Sequence, residues 1–115
     1  MKTLRGKVVA ITGASAGFGE AFARAFAQAG CSIAIGARRF EKITKLADEL
    51  TNKFGVQVLP YPLDVQNSIL CTEFIQQTID KLGRLNILIN NSGLVFGLDH
   101  VKDGNESEWE TIIDT

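Results

Sequence analysis

Gly13, Gly17 and Gly19 stand in the run Thr12-Gly13-Ala14-Ser15-Ala16-Gly17-Phe18-Gly19-Glu20 and are spaced G-x-x-x-G-x-G. Residues without a Cβ at this spacing permit a sharp turn at Gly13 and close approach of backbone to an anion at Gly17. At Gly19 they permit tight packing of a helix on its strand. A helix beginning here has unpaired N–H groups and a partial positive charge at its first turn. The chemistry on offer is anion cradling, and the pyrophosphate of a dinucleotide is the anion that such a turn suits. Ser15 and Phe18 lie in the same turn and join the candidate contacts. The spacing is not the commoner G-x-G-x-x-G. Glycine-rich turns of this kind also occur without a ligand, so other residues must decide.

A second group is Gly36-Ala37-Arg38-Arg39. A ribose with a free 2′-OH is gripped by Asp or Glu in this region of a dinucleotide fold. Here Ala37 is followed by two guanidinium groups, which form charge-assisted bonds to phosphate. Arg38, with Arg39 beside it, therefore points to a 2′-phosphate, hence NADP rather than NAD. Two solvated arginines before a helix are the alternative. A third group is Pro62-Leu63-Asp64-Val65. Asp64 could accept a bond from an adenine amino group while Val65 covers the ring edge, or it could cap a turn before a helix. A fourth is Asn90-Asn91-Ser92-Gly93. Its amides, Asn91 included, can fix neighbouring backbone and line a cofactor groove with Ser92. Gly93 leaves room for a ribose. An ordinary turn is again the plainer reading. No metal-ligand cluster accompanies these groups.

Residues so far apart need a scaffold that gathers them. Val8 to Ile11 is apolar throughout, as in a parallel strand covered on both faces. Ala21 to Ala29 continues the first helix, with Phe22, Ala25, Phe26 and Ala29 as its apolar face and Gly30 as its stop. Cys31 to Gly36 reads as a second strand. Ile43, Leu46, Ala47, Leu50 and Phe54 follow helical spacing up to Gly55. Val56 to Pro60 reads as a short third strand. Asn67 is a candidate N-cap for a helix carrying Ile75, Ile79 and Leu82 and closed by Gly83. Leu85 to Asn90 is a fourth apolar strand. Ser107 and Glu110 form a capping-box pattern for a last helix with Trp109, Ile112 and Ile113 on its apolar face. Alternating strands and helices give an α/β protein with a doubly wound parallel sheet of Rossmann type, about four strands being present. In such sheets the ligand lies beyond the carboxyl ends of the strands, where all four groups fall.

Together, the Thr12 to Gly19 turn, Asp64 and Asn90-Asn91-Ser92-Gly93 resemble the short-chain dehydrogenase/reductase family, in order and spacing, over nearly the whole chain. The resemblance implies a Rossmann fold and a nicotinamide cofactor, with Asp64 and Asn90 to Gly93 around the adenosine half and the central sheet. Ser92 replaces the family's usual Ala. Gly13 to Glu20 and Trp109 to Thr115 look most like the branch of NADP-dependent 3-hydroxy acid, or serine-type, dehydrogenases. The resemblance implies a small-molecule substrate and a full-length homo-oligomer.

The same resemblance makes an absence informative. The family's chemistry uses a Tyr-x-x-x-Lys pair, an upstream Ser and an Asn in the helix after the fourth strand. Tyr is the general acid/base, and Lys lowers its pKa and orients the ribose. The only tyrosine here, Tyr61, has no Lys four residues on. No residue is assigned as catalytic. His100 has no companion and reads as a surface histidine.

The 115 residues suit one domain, and 45% hydrophobic content is ordinary for a globular protein. Twelve basic and thirteen acidic residues leave a net charge of −1, with no basic field for nucleic acid. No apolar run nears the ~20 residues of a membrane span, and no signal peptide precedes Val8. Cys31 and Cys71 read as isolated small thiols, and cytoplasm is the expected compartment. A last helix of barely two turns without a C-cap, and Ile87 and Ile89 on an open strand edge, suggest that residues 1–115 are the N-terminal dinucleotide-binding part of a single Rossmann domain, truncated before its catalytic motif. The expectation is an NADP-dependent oxidoreductase seen as its cofactor-binding half. A non-catalytic dinucleotide-binding or sensor module is the alternative. A Rossmann-like methyltransferase agrees less well with Arg38 and the Asn-Asn-Ser-Gly turn.

Overall fold

The computed structural model describes residues 4–13, 17–90 and 110–113. The chain runs β1 (Val8–Thr12), α1 (Gly17–Gln28), β2 (Ser32–Ala37), α2 (Phe40–Phe54), β3 (Val58–Pro62), α3 (Ser68–Leu82), β4 (Ile87–Asn90) and β5 (Glu110–Ile113). The strands form one sheet in the order β3-β2-β1-β4-β5. Every neighbouring pair is parallel.

Period-two alternation divides the sheet into two cores. Val9, Ile11, Ile33, Ile35 and Ile89 face α1 and α2, where Ala23, Ala27, Ile43, Leu46 and Leu50 complete the packing. Ala10, Ala34 and Leu88 belong to the other core, with Leu63 and with Phe74, Ile75 and Ile79 of α3. On that side Ala10, Ala34 and Gly36 are small, and Phe74 and Leu63 fill the volume they leave. Both are fully buried. Such close complementarity is what fixes one helix position over the sheet.

Several expectations are corrected. The buried stripe of α1 is Gly19, Ala23 and Ala27. Phe22 and Phe26 are half-buried beside it, while Ala25 and Ala29 are exposed. Spacing by four places the smallest residues against β1 and β2, and the phenylalanines close the flanks. The third strand begins at Val58, two residues later than expected, and includes Pro60 and Pro62. Proline has no N–H to donate, yet β3 is an edge strand, where one side of the ladder needs no donor. Cys31 lies just before β2, buried, with its thiol donating to the Leu4 carbonyl at 3.3 Å. Burial pushes this thiol above the usual cysteine range.

The expected last helix is also corrected. Residues 110–113 form β5, paired in parallel with β4 so that Ile89 lies opposite Ile112. The β-branched run Thr111-Ile112-Ile113 favours a strand, and pairing along β4 outweighs the local capping-box signal. The sheet therefore has five strands rather than about four, and β4 with its Ile87 and Ile89 is interior to it. The fourth strand begins at Ile87, two residues later than expected, while the cap of α3 and the stops of α2 and α3 follow the sequence. Asn67 accepts from the Ile69 and Leu70 N–H groups, and Gly55 and Gly83 close α2 and α3.

One structural residue escaped the sequence reading. Asn86 is buried just before β4. Its Oδ1 accepts from the Val8 N–H at 2.8 Å, and its own N–H donates to the Val8 carbonyl at 2.9 Å. It ties β1 to the chain entering β4. Asn86→Ala strands a buried N–H and is expected to cost about 1–3 kcal/mol of stability, read from urea unfolding. A variant within about 0.5 kcal/mol of the parent would show that Val8 finds another partner.

Candidate functional site

Parallel pairing brings the carboxyl ends of the strands to one edge. Thr12 lies opposite Gly36 of β2 and Asn90 of β4. Ala37 lies opposite Pro62 of β3. The residues that follow these strand ends are therefore neighbours in the fold although they are distant in sequence.

The glycine turn leaves β1 at Gly13, which has φ +67°. Its N–H donates to the Gly36 carbonyl at 2.8 Å, hooking the turn to the end of β2. Gly17 opens α1 with φ +62°, in the left-handed region that favours glycine. Among the described residues, a Cβ placed on Gly17 would meet nothing within 4 Å, so none of them crowds its Cα at the helix entrance. Phe18 is 70% exposed at this entrance, while Gly19 faces inward. Ser15 lies outside the described residues. Glu20, in the same first turn, is paired with Arg24 at 2.8 Å. Arg24 also reaches Glu49 on α2, and that bond holds the Glu49 carboxyl below the usual carboxylate range. Pairing Glu20 with a guanidinium reduces the repulsion an incoming anion would meet near the helix N-terminus.

Arg38 and Arg39 follow β2 directly and are exposed. Among the described residues, neither guanidinium is held in an ion pair. Asp64 and Val65 follow β3 and are half-buried. The Leu63 N–H donates to the Ala37 carbonyl at 2.9 Å, which fastens this turn to the end of β2. Asp64 Oδ1 accepts from the Gln66 N–H at 3.0 Å, and the Asp64 carbonyl accepts from the Asn67 N–H at 2.9 Å. Of the two roles weighed for Asp64, turn capping is thus present in the geometry. A carboxylate has two oxygens and about four acceptor positions, so this bond leaves capacity for another donor.

At the end of β4, the buried Thr12 hydroxyl donates to Asn90 Oδ1 at 3.2 Å. This bond joins the ends of β1 and β4 from within the sheet. Asn91, Ser92, Gly93 and His100 lie outside the described residues. Tyr61 is occupied elsewhere: its hydroxyl donates to Glu73 at 3.2 Å, and its ring lies 5.6 Å from that of Phe74. Burial and the Glu73 bond raise its pKa, the opposite of what a general base at neutral pH requires. The edge therefore gathers Gly13, Gly17, Phe18, Arg38, Arg39, Asp64 and Val65. Sequence reasoning missed Gly36, whose carbonyl and bare Cα touch two of the converging turns.

A parallel sheet in the order 3-2-1-4-5, a glycine-rich turn from its first strand and helices on both faces define a Rossmann-type α/β protein. The family model described as short chain dehydrogenase matches residues 7–115, and the chain belongs to this family of oxidoreductases. It is 38% identical over 108 residues to the NADP-dependent 3-hydroxy acid dehydrogenase YdfG of Salmonella typhi, covering 94% of this chain and 42% of that protein. The alcohol dehydrogenase of Thermococcus sibiricus, solved with 5-hydroxy-NADP, superposes with a TM-score of 0.73 at 41% identity, covering 76% of this chain and 37% of the other. L-Sorbose reductase from Gluconobacter frateurii, solved with NADPH and L-sorbose, gives a TM-score of 0.73 at 37% identity, with coverage of 78% and 34%. The chain thus spans well under half the length of these relatives.

Among the described residues, no helix is long and apolar enough to cross a membrane.

Proposed function

We propose that this chain supplies the NADP-binding part of a dehydrogenase or reductase that transfers hydride between NADP(H) and the hydroxyl or carbonyl carbon of a small substrate. A 3-hydroxy acid is the substrate class we favour. The observation that carries the cofactor choice is Arg38: exposed, outside any ion pair among the described residues, and placed where β2 ends beside the glycine turn. The relatives' NADP-dependence supports it.

In this reading residues 1–115 are the N-terminal part of a single Rossmann domain. A pyrophosphate would sit at the glycine turn, where the first turn of α1 would hold it together with Gly13, Ser15, Gly17, Phe18 and Gly19. Arg38 and Arg39 would hold the 2′-phosphate. Asp64 and Val65 would meet the adenine, and Asn91, Ser92 and Gly93 would line the adjoining groove. The nicotinamide cofactor, when bound, supplies or accepts the hydride. These 115 residues bind and orient; none of them is assigned the proton transfer, because no Tyr-x-x-x-Lys occurs among them. Buried, free Cys31 and Cys71 agree with a cytoplasmic setting. A homo-oligomeric whole protein completes the proposal.

The test is Arg38→Ala in the full-length protein, with NADP and NAD affinities measured by calorimetry. Losing a charge-assisted phosphate contact should weaken NADP by roughly ten- to a hundredfold, about 1.5–3 kcal/mol, and leave NAD nearly unchanged. Equal losses for both cofactors would remove Arg38 from the 2′-phosphate.

A further inference from the structure

Gly36 is buried at the end of β2, opposite Thr12 of β1 and Tyr61 of β3. Its carbonyl accepts from the Gly13 N–H at 2.8 Å. The space where its side chain would project is filled. A Cβ there would lie 2.7 Å from Leu63 Cδ2, 3.2 Å from Leu63 Cβ and 3.3 Å from Phe74 Cε1. Leu63 and Phe74 are themselves fully buried, so a shift of either must displace packed neighbours. Leu63 immediately precedes Asp64, and its N–H is fixed to the Ala37 carbonyl, one residue before Arg38.

Three pieces of the candidate site therefore meet at one residue. The glycine turn hangs from the Gly36 carbonyl. Arg38 follows two residues later. The Asp64 turn approaches through Leu63, which occupies the volume that Gly36 leaves empty. We propose that Gly36 is a positioning residue that sets how closely the Asp64 turn stands to the end of β2, and thereby shapes the adenosine 2′-phosphate end of the cleft. This rests on the nucleotide-binding reading above. Any side chain at position 36 pushes Leu63 outward and carries the backbone of Asp64 with it, while the Gly13 bond holds β2 in place.

The experiment is a double-mutant cycle of Gly36→Ala and Leu63→Val in the full-length protein. The pair conserves volume, since one carbon is added at 36 and one removed at 63. The probe is 2′,5′-ADP, titrated by calorimetry, with thermal unfolding recorded for each variant. Gly36→Ala is expected to weaken 2′,5′-ADP by roughly tenfold through displacement of Asp64. Leu63→Val, which loosens the same contact, is expected to weaken it several-fold, and the double variant to recover most of the parental affinity. An affinity that stays level across the series while unfolding temperatures move would reduce Gly36 to core packing and overturn the proposal. If Gly36→Ala does not fold, Leu63→Val and the double variant decide: parental affinity in Leu63→Val, or no recovery in the double, overturns it. Failure of the unmodified protein to bind 2′,5′-ADP overturns the nucleotide reading itself, and this inference with it.

Discussion

Replacing Phe74 by alanine is expected to remove about 3–5 kcal/mol of folding stability, the largest loss from any single core truncation discussed for this chain. Phe74 is wholly buried on α3. Ala10 and Ala34 of the sheet share its core and its ring also lies against the bare Gly36, so it fills volume that these small residues leave. Its Cε1 lies close to Gly36, and its ring tilts against Tyr61 at 39°. Truncation leaves a cavity walled by Leu63, Ile75 and the sheet, all held by other contacts and slow to collapse. Domains of this size are stable by only about 5–15 kcal/mol, so the variant should unfold at much lower urea concentration or not accumulate. Tyr61→Phe is the control. It removes only an exposed hydroxyl bond to Glu73 and should stay within about 0.5 kcal/mol of the parent. A Phe74→Ala loss below about 1.5 kcal/mol would mean that α3 resettles onto the alanines.

The sequence read well wherever one local rule acted alone. The apolar strands β1 and β2, the helix over Ile43 to Phe54, the Asn67 cap and the glycine stops at 55 and 83 all follow from spacing and capping. It read poorly wherever partners distant in sequence decided. Ala25 and Ala29 share a helical face with Phe22, but the sheet selects Gly19, Ala23 and Ala27 because only small residues fit against it. Ser107 and Glu110 carry a helix-start signal, yet pairing with β4 makes residues 110–113 a strand. Asn86 resembled any polar residue at a strand entrance, and only the fold reveals its bond to Val8, 78 residues away. Gly36 shows the same limit in the candidate site. Nothing in Ile35-Gly36-Ala37 announces a neighbour, because that neighbour, Leu63, arrives through the β3 crossover. The candidate site residues stand out by type and spacing, whereas the residues that space them from one another do not.

Gly19→Val should abolish measurable NADPH binding, a loss of at least roughly a hundredfold. Gly19 starts the stripe Gly19, Ala23, Ala27 by which α1 lies on the sheet, and Val9 and Ile11 of β1 belong to the same core. A β-branched side chain at this buried position is expected to overpack it. Overpacking of this kind costs about 1–3 kcal/mol and is relieved by tilting the first turn of α1 away from β1. The first turn of a helix carries N–H groups without intrahelical partners, so in the proposed site such a tilt would misalign these donors together. In the proposed site Arg38→Ala, by contrast, would remove one contact and leave the turn intact, so its effect should be smaller and confined to the 2′-phosphate. Fluorescence titration with NADPH, paired with circular dichroism to establish folding, separates lost binding from lost structure. Gly19→Ala should fall between the two, since a single methyl asks for a smaller tilt. A folded Gly19→Val variant that holds NADPH as tightly as the parent would place the dinucleotide away from this turn.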